Sequence, residues 1–125
     1  MATIAVVNTR AGVDAAKNIT KTDLTGTDDL LFTSGTTQLL VLENTGASTP
    51  TINIVGDQAT TARCAGLGDP IDVSGGFDIA LTANGTEGDT VIIALSDIAA
   101  YLADSTNEPN VTGGTSEVTA YIISR

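Results

Sequence analysis

A chain of 125 residues is one domain's worth, long enough to bury a single core without staples. It has no histidine and one cysteine, Cys64, which excludes Ser-His-Asp and Cys-His nucleophilic sites, His- or Cys-based zinc centres and an internal disulfide. A formal net charge of −10 sets the chain against nucleic-acid phosphates and anionic membrane surfaces, so neither is expected as a partner.

That charge is uneven. Residues 1–22 hold Arg10, Lys17 and Lys21 against Asp14, a net +2, while residues 23–125 hold Arg63 and Arg125 against fourteen carboxylates, a net −12. Aromatic residues are 3% of the chain and tryptophan is absent, so the core must be built from Val, Ile, Leu and Ala. A modest core of this kind leans on neighbouring subunits, and a dimer or trimer is expected. No apolar span of about 20 residues is present to cross a membrane as a helix. The opening MATIAVVNTR lacks the basic and apolar regions of a signal peptide, so synthesis and retention inside a cell, or release by lysis, is the expectation.

In chain order, Ala2 to Val7 predicts a first strand, with Ile4 and Val6 on one face and Thr3, Ala5 and Val7 on the other. Asn8 to Thr25 is polar and weakly patterned, and reads as an extended arm or long connection. Leu30 to Thr33 predicts a short strand. Gln38 to Glu43 is almost wholly apolar, the pattern of a strand with both faces covered by protein. Asn44, Gly46, Ser48 and Pro50 supply turn chemistry, and Thr51 to Val55 alternates, with Ile52 and Ile54 on one face. Together these two runs predict a β-hairpin, the unit around which the rest is arranged.

Gln58 to Pro70 reads as a Gly/Ala/Thr-rich connection, and Ile71 to Val73 as a short strand. Phe77 to Ala83 and Thr90 to Leu95 alternate on either side of Asn84–Asp89, which predicts a second antiparallel hairpin. Ser96 is a candidate N-cap for a brief helix, with Ile98, Tyr101 and Leu102 at helical spacing. Ser105 to Gly114 reads as loop. Ser116 to Ser124 predicts the closing strand, with Val118, Ala120 and Ile122 facing in. The fold class is all-β: an antiparallel β-sandwich or jelly roll of about seven to eight strands with at most one short helix, divided into an N-terminal strand or arm (1–22) and a sandwich domain (23–125).

Chemistry is sparse. Cys64 beside Arg63 reads as a small buried hydrophobe rather than an activated thiolate. The carboxylate pairs Asp69–Asp72 and Glu87–Asp89 lie in or beside turns and lack the aromatic platforms of a sugar site. Loop carboxylates beside glycines (Asp69 near Gly66 and Gly68, Glu87 and Asp89 around Gly88) have oxygen ligands suited to Ca²⁺ but not the spacing of a regular calcium loop. The sequons at Asn18, Asn84 and Asn110 read as turns. No cofactor and no catalytic residue is expected, and the chain does not read as an enzyme.

The stretch QLLVLENTGASTPTINIVGD (38–57) resembles the apolar-run, Asn-Thr-Gly, Thr/Ile-strand unit of small β-sandwich head proteins of tailed bacteriophages. AVVNTRAGVD (5–14) is similar to the Asn-Thr-Arg-Ala-Gly arm that opens such chains, and VTAYIISR (118–125) to their final strand. Gln58 to Asp69 and Ser96 to Gly114 carry none of this likeness. The resemblance implies a capsid decoration, or cement, protein made in the host cytoplasm, which sits on the outer surface of an icosahedral virion and binds the major capsid protein. Many weak contacts on a lattice then act together.

Two interface sets follow. In the first, residues 1–22 dock on the shell or a neighbouring subunit, with Asn8 in the arm, Arg10 as hydrogen-bonding anchor and Ile4 and Val6 adding strand pairing. Removing the arm is then expected to leave a folded sandwich. The other reading makes Ala2 to Val7 an ordinary strand of the same domain, and both hold if that strand pairs in the sheet while the following segment reaches out. The second set is a homo-oligomer contact through Tyr101, Leu102, Tyr121 and Ile123, apolar positions in surplus over one sandwich face. A surface ligand-binding module, with Ca²⁺-assisted carbohydrate binding, is the alternative function.

Overall fold

Two sheets face one another across an aliphatic core. The computed structural model describes residues 2–8, 18–33, 37–62, 70–105 and 108–124. Along them run β1 (Val6–Asn8), β2 (Thr22–Asp23), β3 (Thr27–Asp29), β4 (Gln38–Asn44), β5 (Thr51–Val55), β6 (Thr61–Ala62), β7 (Ile71–Asp72), β8 (Phe77–Ala80) and β9 (Thr90–Ala94). A 3-10 helix (Leu95–Tyr101), β10 (Asn110–Thr112) and β11 (Val118–Ser124) complete the chain. The five-stranded sheet runs β1-β11-β4-β9, with β2 beside β1 along the outer edge of β11. The four-stranded sheet runs β3-β10-β5-β8, and β6 and β7 form a separate two-stranded ribbon. The all-β sandwich expected from alternation is therefore the architecture observed.

The predicted core faces supply the core. Leu40 and Leu42 of β4, Ile52 and Ile54 of β5, and Val118, Ala120 and Ile122 of β11 are all buried in one cluster with Leu24, Leu30, Leu81 and Leu95. β4 sits between β11 and β9, paired along its whole length with β11. Removing this much aliphatic surface from water, at about 25 cal/mol per Å², is the main force holding the sheets together.

Both predicted hairpins are instead arches. β4 pairs with β11 and β9 while β5 pairs with β10 and β8, so Thr45–Pro50 carries the chain from one sheet to the other. Ala83–Asp89 does the same between β8 and β9. Turn residues show where a chain reverses, but not whether the returning strand pairs with its predecessor or lies about 10 Å away on the opposing sheet. Asn44 decides it here. Buried at the end of β4, it donates its side-chain amide to Ser48 O (2.7 Å) and Thr82 O (2.8 Å), and its Oδ1 accepts from Gly46 N (3.0 Å). One side chain thus fastens the two arches together.

The first segment also changes sheets. Ile4 N donates to Asp29 O and Asp29 N to Ala2 O, which joins it to β3; two residues later β1 runs parallel to β11. The crossing breaks the period-two pattern, so Ile4 is fully buried while Val6 is 38% exposed. Of the two readings of Ala2 to Val7, the strand within the same domain is the one the pairing draws. Residues 9–17, with Arg10, lie outside the described residues.

Three elements depart from expectation for identifiable reasons. The strand expected at Leu30 to Thr33 lies earlier, at β3, where the inward residue is Asp28; its carboxylate accepts from Ala2 N, Thr25 N and Thr25 Oγ1 (3.1, 2.9 and 2.8 Å). β10 lies in the stretch read as loop and has a single buried apolar residue, Val111, yet pairs with both β3 and β5. Gly113 follows it with φ +82°, beneath the Thr51 carbonyl, where no Cβ fits. The helix starts one residue before Ser96, with Ala94 at the cap and no side-chain cap bond.

Candidate functional site

β4 is apolar on both faces, and only one face meets the core. Leu40 and Leu42 point inward, whereas Val41 is buried outside the core cluster, on the far side of the sheet. Register places its neighbours. One row across the outer face reads Val7, Ile123, Leu39, Ala94, and the next reads Tyr121, Val41, Ile92. Tyr121, Ile123, Leu39 and Val7 are half-buried, and Ile92 is 64% exposed. The third row turns polar: Asp23, Thr119, Glu43, Thr90. The outer face of the five-stranded sheet is therefore an apolar patch with a polar rim at one end.

The rim holds one ion pair. Lys21 Nζ lies 2.9 Å from Glu43 Oε2, and this hydrogen bond, followed by the carboxylate charge, raises the lysine above its ordinary pKa. Tyr121 adds a smaller contribution in the same direction. Beside Glu43 in register, Thr119 Oγ1 is buried and has no hydrogen-bond partner among the described residues.

The structure separates the eight residues proposed from sequence. Tyr121 and Ile123 share the outer face, as two strand positions of one parity must. Leu102 does not belong with them: it is 2% exposed and part of the core. Helical spacing grouped it with Tyr101 but could not say which way the short helix would turn. Tyr101 is half-buried and meets Phe77 edge-on, with ring centroids 5.5 Å apart. Ile4 is core and hydrogen-bonded to β3, so it is not a free docking strand. Val6 and Asn8 lie in register with Ile122 and Ser124 on β1, a strand whose edge toward β11 is already spent, Ile122 N donating to Ala5 O. Arg10 lies outside the described residues.

Leu39, Val7 and Ile92 were missed as residues of this outer face, as was Val41, buried at its centre. The signal was the two-sided apolar run itself, Gln38 to Glu43, read as a strand between two protein layers, whereas among the described residues the core cluster lies on one side of it. No family model, curated protein or solved structure matches the chain.

Two of the loop carboxylates, Asp72 and Asp89, are occupied as turn acceptors. Asp89 Oδ2 accepts from Gly85 N (2.8 Å), and Asp72 Oδ1 from the Ser74 hydroxyl (2.7 Å) and amide (2.9 Å). The hydroxyl first and the amide second hold the Asp72 carboxyl below its ordinary pKa. Asp57 and Ser105 bracket one another across two loops (Ser105 N to Asp57 Oδ1, 3.1 Å). Among the described residues no three acidic or thiol side chains gather as a metal site, and no helix is long and apolar enough to span a membrane. Asp69, Gly66 and Gly68 lie outside them.

Proposed function

We propose that this chain is a structural protein that docks through the outer face of its five-stranded sheet onto the repeated subunits of a large protein shell. The observation that carries the proposal is the apolar outer face, with Tyr121, Ile123, Leu39 and Ile92 directed away from a core that is already complete without them. Such a face, rimmed by polar residues, is the usual form of a protein-binding surface. The sequence likeness to tailed-phage head proteins gives the class of partner: the chain decorates the outside of an icosahedral capsid, bound to the major capsid protein, and performs no catalysis. A net charge of −10 keeps the unassembled chain soluble while its neutral face remains adhesive. Multiplied over a lattice, modest contacts suffice.

The test is co-sedimentation with capsids lacking their accessory proteins. The wild-type chain should pellet with the shells, and Tyr121→Asp combined with Ile123→Asp should stay in the supernatant with an unchanged far-UV spectrum. Retention of the double variant on the shells would refute the docking face.

A further inference from the structure

β9 is the outermost strand of the five-stranded sheet, paired among the described residues with β4 alone. The hydrogen bond from Asn44 N to Asp89 O (2.8 Å) fixes the phase of that ladder. Antiparallel bonds alternate, so Val91 and Ile93 turn their peptide groups to β4, and Thr90, Ile92 and Ala94 turn theirs to the open edge. These three positions are symmetric about Ile92. The edge is also chemically unguarded. Of the other sheet's edges, β3 is covered at Asp29 by the Ala2–Ile4 segment, and β8 carries the exposed Asp78. β9 reads TVIIA, with no charge, no proline and no bulge, in a chain of net charge −10. Ile92 at its centre is the most exposed large apolar residue among those described.

We infer that β9 is the dimer contact: two copies of this chain pair their β9 strands antiparallel about a two-fold axis through Ile92. The Ile92 residues exchange both of their backbone bonds, and each Ala94 N–H reaches the Thr90 carbonyl of the second copy. The Ala94 carbonyl is already engaged at the start of the 3-10 helix. Neutrality decides the partner. At the two-fold every residue of the strand meets its own kind or a close neighbour, so a charged strand would repel itself, as β8 with Asp78 would. The pairing joins two five-stranded sheets into one, and brings both Ile92 side chains together on the outer face beside Val41. An isologous contact closes at two copies and does not propagate.

Sedimentation equilibrium in the absence of any capsid tests this independently of shell binding. The wild-type chain should show a reversible monomer–dimer equilibrium, and Ile92→Lys should raise its dissociation constant about tenfold or more by placing like charges face to face. Amide exchange gives a readout that does not depend on the variant folding. In the wild-type chain the Ile92 and Ala94 amides should be protected at high concentration and exposed on dilution, while Val91 and Ile93 stay protected throughout. A wild-type chain that remains monomeric at millimolar concentration, or an Ile92 amide whose exchange ignores dilution, would overturn the inference.

Discussion

Asn44 closes two arches at once through its side-chain amide. Asn44→Ala removes the donor to the carbonyls of Ser48 and Thr82 at the junction of the arches, and should cost about 2 kcal/mol in urea denaturation. Gly56 is as strict for a steric reason: a Cβ there would overlap the backbone carbonyl of Ala103, which cannot swing aside. Gly56→Ala should lower stability by about 2 kcal/mol or more by the same assay. The two shifted ionisable groups give a pH signature. The folded pKa of Lys21 is raised, so its contribution is whole below about pH 10.4 and fades as pH climbs through the folded value. That of Asp72 is lowered, so its contribution is whole above about pH 3.9 and fades as pH falls through the folded value. Both groups are exposed and the effects small. In thermal melts Lys21→Met should flatten only the alkaline limb, and Ser74→Ala only the acidic limb.

At the scale of elements, legibility followed one rule: strands whose inward residues are aliphatic could be read, and strands whose inward residue is polar or solitary could not. β5 and β11 match their predicted faces residue for residue at Ile52, Ile54, Val118, Ala120 and Ile122. β3 hides because Asp28 occupies the core position, satisfied by three donors that no local pattern announces. β10 hides because Val111 stands alone between Pro109 and Gly113, and only pairing on both sides makes it a strand. Val111→Ala should therefore cost about 2 kcal/mol despite its loop-like surroundings, as a lost pair of buried methyl groups does in any sheet interior. The candidate site divides the same way. Strand parity makes Tyr121 and Ile123 visible as a surplus, but whether Val41 meets a second layer of its own chain is decided by topology, which strand periodicity does not encode. Pairing also changes one expectation about the arm. Because Ile4 is core and β1 is laid on β11, deleting residues 1–22 should unfold the sandwich, so Arg10→Ala is the substitution that isolates the arm's part in docking.

For the whole molecule, charge and apolarity are segregated. Carboxylates occupy loops, the edges of the four-stranded sheet and one end of the five-stranded sheet, whose outer face is neutral except for that rim of Lys21, Asp23 and Glu43. Docking by such a face depends on buried apolar area, so shell binding should change little between low and high salt, whereas anchoring by Arg10 alone would weaken steeply. A cryo-EM reconstruction of accessory-free shells incubated with the purified chain tests the central claim most directly. The account predicts density for the sandwich on the outer surface, with Tyr121, Ile123 and Leu39 turned toward the shell. Shells that remain bare, or a sandwich attached with that face open to solvent, would contradict it.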